Sequence, residues 1–305
     1  NFLALIFCLM VGTAGLPHLL TRYYTSPTVA GARASVAWSL FFIALLYLSA
    51  PALAVLVKFE VMQNLVGSSF EALPNWMAQW ARVDSSLLSI EDVNGDGIVQ
   101  FGEIRLGADL IMLATPELGG LPYVVSGLVA AGGLAAALST ADGLLLTISN
   151  ALVRDLYFRG TKRDASPEQR VILTKFTLLT VALSAAFVAA LKPSEILTMV
   201  SASFSLAASA FVPVMVLGIF WRGTTRKGAV AGMLAGLGVA VYYLLSHVPA
   251  VRAALPGWLL ADGLWFGIQP ISAGVFGVPA GFVAAAVVSR ITRPAPVPTG
   301  VRLEI

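Results

Sequence analysis

Three stretches of this 305-residue chain carry residue types and spacings that could do chemistry. The first is Asp92-Val93-Asn94-Gly95-Asp96-Gly97-Ile98-Val99-Gln100-Phe101-Gly102-Glu103. It matches the twelve-residue EF-hand loop: oxygen side chains at positions 1, 3 and 5, glycine at 6 for the sharp turn, and the Ile98 carbonyl at 7. Gln100 stands at 9, and Glu103 at 12 can chelate bidentately. Asp92, Asn94, Asp96, Ile98, Gln100 and Glu103 are thus the expected ligands of a Ca²⁺ ion. The competing reading is an Asx-rich turn that binds no metal.

The second stretch surrounds Asp142 in AAGGLAAALSTADGLLLTISNALVRDLY. Ala136, Ser139, Thr140, Gly143 and Thr147 recur at spacings of three and four, which places them on one helix face. Adjacent hydroxyls there could offer oxygen ligands to a hard cation such as Na⁺, and the same residues could equally serve to pack helices closely. A charge at mid-bilayer costs roughly 2.5–3.5 kcal/mol by insertion scales, which makes Asp142 an ion-coupling candidate. The third stretch is Gly12-Thr13-Ala14-Gly15-Leu16-Pro17-His18. Pro17 removes a backbone donor and clashes with the preceding turn. The result is either an ordinary kink or an unwound segment of the kind that holds substrates and ions in transporters. His18 is a proton-sensitive gate candidate, or a histidine satisfied at the membrane interface.

These residues must be positioned by elements that live in lipid. Hydrophobic residues make up 58% of the chain and charged residues 11%, under half the ~25% usual in soluble domains. That balance excludes a soluble enzyme, a nucleic-acid module and a disordered chain. A lone cysteine, Cys8, excludes a disulfide framework and a cysteine-based zinc site. There is no HExxH, no serine–histidine pair at motif spacing and no glycine-rich phosphate loop, so a membrane-embedded enzyme is not supported. The chain starts at Asn1 inside an already apolar run, as expected of a piece of a longer membrane protein whose upstream helices are missing.

Seven stretches reach the ~20 apolar residues needed to span a bilayer: 2–21, 36–57, 119–150, 171–191, 196–220, 228–247 and 264–289. The fold expected is therefore all-α and integral to the membrane. Residues 1–57 hold two transmembrane helices, the first of them broken; 58–118 form an extracytoplasmic loop; 119–290 hold five more helices; 291–305 are a tail. Of the 19 basic residues, Arg22, Arg33, Arg154, Arg159, Lys162, Arg163, Arg170, Lys175, Arg222, Arg226, Lys227, Arg290, Arg293 and Arg302 fall on one side. Positive charge marks the cytoplasm, so the tail lies inside and the acidic loop 58–118 outside.

The stretches VGTAGLPHLLTRYYTSPTVAGARAS, LSTADGLLLTISNALVRDLY and LGIFWRGTTRKGAVAG, in this order, resemble the sodium:solute symporter family, and most closely its acetate/monocarboxylate permease branch. The resemblance implies a LeuT-like core of two inverted repeats, of which this chain would hold the sixth core helix onward. It implies a sodium site at the Ala136 carbonyl, Ser139 and Thr140, completed by ligands from a helix absent here. It also implies a substrate-facing break at Thr13 with backbone from Gly12 and Gly15. Asp142 departs from members with a small or hydroxyl residue at that position. The function expected is Na⁺-coupled, or H⁺-coupled, uptake of a small anionic solute such as acetate or pyruvate across a bacterial plasma membrane. A membrane sensor with a symporter-like module is the alternative.

Overall fold

The computed structural model describes residues 1–23, 26–107, 109–158, 166–191 and 194–292, and the side chains of 21–23 are not among what it describes. Most of the expected tail, with Arg293 and Arg302, and the basic residues Arg159, Lys162, Arg163 and Lys192 lie outside the described residues. In chain order the helices are α1 (Phe2–Gly15), α2 (Pro17–Tyr23), α3 (Val29–Asn64), α4 (Asn75–Val83), α5 (Ile111–Leu118) and α6 (Tyr123–Asn150). A π-helical run, Ala151–Phe158, continues α6. Then come α7 (Pro167–Ala190), α8 (Ile196–Phe220), α9 (Arg226–Leu245), the short α10 (Pro249–Ala254) and α11 (Gly274–Ile291). Strands β1 (Leu88–Ile90) and β2 (Ile104–Leu106) form one antiparallel hairpin between α4 and α5, with Ser89 opposite Arg105.

Among the described residues, six helices are long and apolar enough to cross a membrane: α3, α6 with its π-helical continuation, α7, α8, α9, and α11 with the turn before it. The protein is an all-α, multi-pass membrane protein. The seventh expected span, 2–21, is two pieces. Helix α1 has 14 residues, fewer than a full crossing needs, and Leu16 leaves helical geometry at φ −72°, ψ 117°. Pro17 opens α2, where its missing N–H costs nothing.

The chain divides into two compact units. In the unit of residues 26–187 the buried apolar core gathers at the C-terminal end of α3, against α4, the hairpin and α5. Helix α3 runs past the expected boundary at 57 as far as Asn64, because Val57, Val61 and Leu65 repeat at four-residue spacing and bury against Met77, Leu88, Leu110 and Ala114. Thr28 caps the other end of α3, accepting from the Gly31 N–H at 3.0 Å. Trp80 ties α4 to α5 by donating its indole N–H to Glu117 at 3.1 Å.

In the other unit, of residues 1–25 and 188–305, α9 and α11 lie antiparallel along matched ladders of small residues. A Cβ on Gly232 would meet the Ala285 Cβ at 2.6 Å and the Gly281 carbonyl at 2.9 Å; one on Gly236 would meet the Gly277 carbonyl at 3.0 Å. Gly228 faces Ala285 and Ser289 in the same way. Such contacts let backbones approach where lipid supplies no hydrophobic drive between helices. Thr225 caps α9, accepting from the Gly228 N–H at 3.1 Å, and its own N–H donates to Ser289 of α11 at 3.2 Å.

Candidate functional site

The sodium-site expectation falls on α6. Thr140 donates its hydroxyl to the Ala136 carbonyl at 3.2 Å, so two of the three expected oxygens share one face one turn apart. One turn further on, Thr147 donates to the Gly143 carbonyl at 2.8 Å. Thr back-bonding of this kind keeps a hydroxyl against the helix and bends it slightly. Ala136, Ser139, Thr140 and Asp142 are all exposed within their own unit. Ala136, Ser139 and Thr140 present oxygens on one face of a membrane-spanning helix, Asp142 lies off to the side of that face, and the helix widens into π geometry at Ala151, one turn beyond Thr147. Widened turns of this type recur at functional sites. Ser149, fully buried, lies at the junction.

The substrate-gate expectation falls on α1 and α2, in the other unit. Gly12 and Gly15 are buried against α8. A Cβ at Gly12 would meet the Phe204 carbonyl oxygen at 2.5 Å, and one at Gly15 the Val212 side chain at 3.0 Å and the Ala207 carbonyl at 3.1 Å. Both glycines thus let α1 lie flush on α8. Thr13, on the other face, is exposed and donates to the Leu9 carbonyl at 2.7 Å. His18 is buried on α2. The break itself is tight, since the Leu16 N–H reaches the Thr13 carbonyl only at 3.4 Å, and Pro17 offers none.

Two sets of residues around the break were not among the sequence expectations. Ser201, Ser205 and Ser209 form a fully buried hydroxyl ladder on α8; Ser205 donates across to the Ile271 carbonyl at 2.6 Å, and Ser209 donates to the Ser205 carbonyl at 2.7 Å. Cys8 of α1 joins this polar seam through the Ser272 carbonyl at 3.4 Å. The other set is the glycine ladder of α9. Both were signalled by strict four-residue spacing, as in Ser201-x-x-x-Ser205-x-x-x-Ser209.

The calcium expectation falls on a hairpin connection. Residues 92–103 connect two strands of a hairpin, with a single 3₁₀ turn at Phe101–Glu103, and do not join two helices as an EF-hand loop does. Their oxygens hold the loop's own amides. Asp92 accepts from the N–H groups of Gly95 at 2.7 Å and Gly97 at 2.9 Å. Asn94 accepts from the Asp96 N–H at 3.0 Å, and Glu103, buried, accepts from Val93 at 3.0 Å and Gln100 at 2.9 Å. The Ile98 N–H donates to Asp96 at 2.8 Å and Gln100 donates to it at 3.0 Å. The Ile98 and Asn94 donors hold the Asp96 carboxyl below its ordinary value of 3.8. Among the described residues, no group of three His, Cys, Asp or Glu side chains is gathered to hold a metal ion. Asp92, Asn94, Asp96, Ile98, Gln100 and Glu103 thus make the local hydrogen bonds of an Asx-rich turn.

Comparison with known proteins places α6 inside a family match. The Sodium:solute symporter family description matches residues 113–236, which include all of α6 and α8. An uncharacterized symporter of Cupriavidus necator is 60% identical over 298 residues, covering 97% of this chain and 43% of the relative. A monocarboxylic acid transporter of Corynebacterium glutamicum is 28% identical over 301 residues, covering 96% of this chain and 47% of the relative. A high-affinity proline transporter of Bacillus subtilis is 33% identical over 149 residues, covering 46% of this chain and 32% of the relative. The chain spans less than half the length of each. No solved structure matches it. The chain thus carries a sodium:solute symporter family domain over residues 113–236 and is 60% identical, over 97% of its own length, to part of a symporter.

Proposed function

We propose that this chain is part of a cation-coupled secondary transporter of a bacterial plasma membrane, not an enzyme, and that it moves a small monocarboxylate such as acetate or pyruvate. The observation that supports this most is the joined Thr140 hydroxyl and Ala136 carbonyl beside Ser139 on a spanning helix, inside the stretch that matches the family. These oxygens supply part of a Na⁺ site, and the rest comes from outside the chain. Na⁺ bound there favours the outward-open state, the anion then closes it, and both leave inward. Such coupling requires each ligand to bind the two states with different affinity. Thr13 and the helix ends flanking Leu16 offer donors to a carboxylate, as broken helices do at midplane sites. The monocarboxylic acid transporter relative supports the substrate class; the proline transporter relative shows that nearby sequences serve other solutes.

The test is uptake of labelled acetate and pyruvate by proteoliposomes holding the whole protein, under a Na⁺ gradient, a proton gradient, or neither. Saturable uptake that needs Na⁺ is expected. Uptake driven by the proton gradient alone moves the coupling to Asp142, and Asp142→Asn then abolishes it. Failure of both acids under every gradient overturns the substrate class and favours the sensor alternative.

A further inference from the structure

The segment between α9 and α11 has a polar-tied interior and an apolar exterior. Inside, Tyr243 is fully buried. Its hydroxyl donates to the Ile268 carbonyl at 2.6 Å and accepts the Trp265 N–H at 3.0 Å. The Trp265 ring stacks 4.7 Å from it, and Phe276 meets both rings edge-on at 5.2 Å. Arg252, though exposed, is tied to the backbone: its guanidinium donates to the Ser246 and Ala261 carbonyls, each at 2.7 Å. His247 spans the Tyr243 carbonyl at 2.9 Å and the Gly263 carbonyl at 3.1 Å.

Outside, Phe266 is 93% exposed and Trp258 82% exposed, with Leu255, Leu259 and Leu264 exposed beside them in sequence. Phe266 is also strained. Among the described residues it is the non-glycine with positive φ, at 52°, a backbone state that a bulky side chain rarely adopts. Its neighbour Gly267 takes the same region at φ 69° without penalty. The Phe266 ring makes one peripheral stack with Phe276 at 6.2 Å and adds almost nothing to the fold. Glycine would fit this backbone better, so the side chain is retained for a contact beyond the fold.

We infer that residues 255–266 form an interfacial anchor, with Trp258 and Phe266 set into the headgroup layer of the bilayer that α9 and α11 cross. The occupant follows from continuity. Both ends of the segment are ends of membrane-spanning helices packed on each other, and the exposed Tyr242 and Leu245 at the end of α9 lead straight into it. Amphipathic aromatic rings concentrate at this depth. The charge pattern agrees: between Ser246 and Arg290 the charged residues are Arg252 and Asp262, and the Arg252 guanidinium is held on backbone carbonyls. Asp262 is exposed and stays on the water side.

The test places a nitroxide on Trp258→Cys, Phe266→Cys or Asp262→Cys in the whole protein, with other cysteines replaced by serine, in liposomes. Collision rates are read with oxygen, which partitions into lipid, and with a water-soluble nickel chelate. The oxygen-to-nickel ratio is expected to be several-fold higher at 258 and 266 than at 262. Equal ratios at all three sites overturn the proposal. So do low rates with both probes, which mean that protein covers the segment. Spin–spin broadening that disappears on dilution with unlabelled protein assigns the surface to a second copy instead. Phe266→Asn, which tolerates the left-handed backbone, controls for folding.

Discussion

The Thr140 hydroxyl is already bound to the Ala136 carbonyl at 3.2 Å, so a cation can take both oxygens without reorganising the helix. Removing the hydroxyl deletes one charge–dipole contact, worth about 1.5–3 kcal/mol. Thr140→Ala is therefore expected to raise the Na⁺ concentration for half-maximal uptake about tenfold or more, whereas Thr140→Ser restores it. Uptake measured across a Na⁺ titration checks this. In loop 92–103 the residue scale makes the opposite point. Its carboxylates are occupied by backbone N–H groups, so hydrogen exchange at Gly95, Gly97 and Ile98 should not change between millimolar Ca²⁺ and excess chelator. A bound ion at a hundred times its Kd would add about 2.7 kcal/mol, or roughly hundredfold protection. The exposed Asp96 carboxyl has its folded pKa held below 3.8. Its contribution is thus fully present above that value and lost as pH falls through the lowered one, so protection at Ile98 should still hold at about pH 4 and weaken only at more acidic pH.

At the scale of elements, glycine position decides whether helices meet. Gly236 faces the Gly277 carbonyl and Ser209 of α8, while Gly238, two residues along the same helix, has open space where a Cβ would go. Gly236→Ala is expected to destabilise by about 1–3 kcal/mol through overpacking. Gly238→Ala should be neutral or stabilise by roughly 0.5–1 kcal/mol, the ordinary helix preference for alanine. Thermal unfolding of the two variants in detergent separates them. The four-residue spacing of the ladder was plain in the sequence; its partners were not, because a ladder on α9 specifies a face and not the helix that covers it. The break at Leu16 shows the same division. Pro17 announced an interruption. That Gly12 and Gly15 would close α1 onto α8, leaving Thr13 alone of the three exposed, depended on Phe204, Ala207 and Val212 nearly two hundred residues away.

At the scale of the whole molecule, orientation rests on the distribution of Lys and Arg. Replacing Ser85 in the acidic loop by Cys should give labelling with a membrane-impermeant maleimide in intact cells. Replacing Lys227, at the start of α9, should give labelling only after the membrane is opened. Both positions are exposed, so folding does not hide either thiol, and the reverse pattern would invert the topology.

The sequence by itself determined that the chain lives in a bilayer, six of the seven expected segments being long and apolar enough to cross it, and which hydroxyls share a face of α6. Those properties are local and additive: hydropathy sums over about 20 residues, and helical spacing places side chains on a face. Only the tertiary structure decided that α3 runs on to Asn64 and packs its last turns against α4, the hairpin and α5, and that the Asp92–Glu103 loop belongs to a strand hairpin whose carboxylates serve its own amides. It alone turned Trp265 inward and Phe266 outward. Each of these depends on contacts between residues distant in sequence, and on which of two partners, water or a neighbouring backbone, reaches a polar group first.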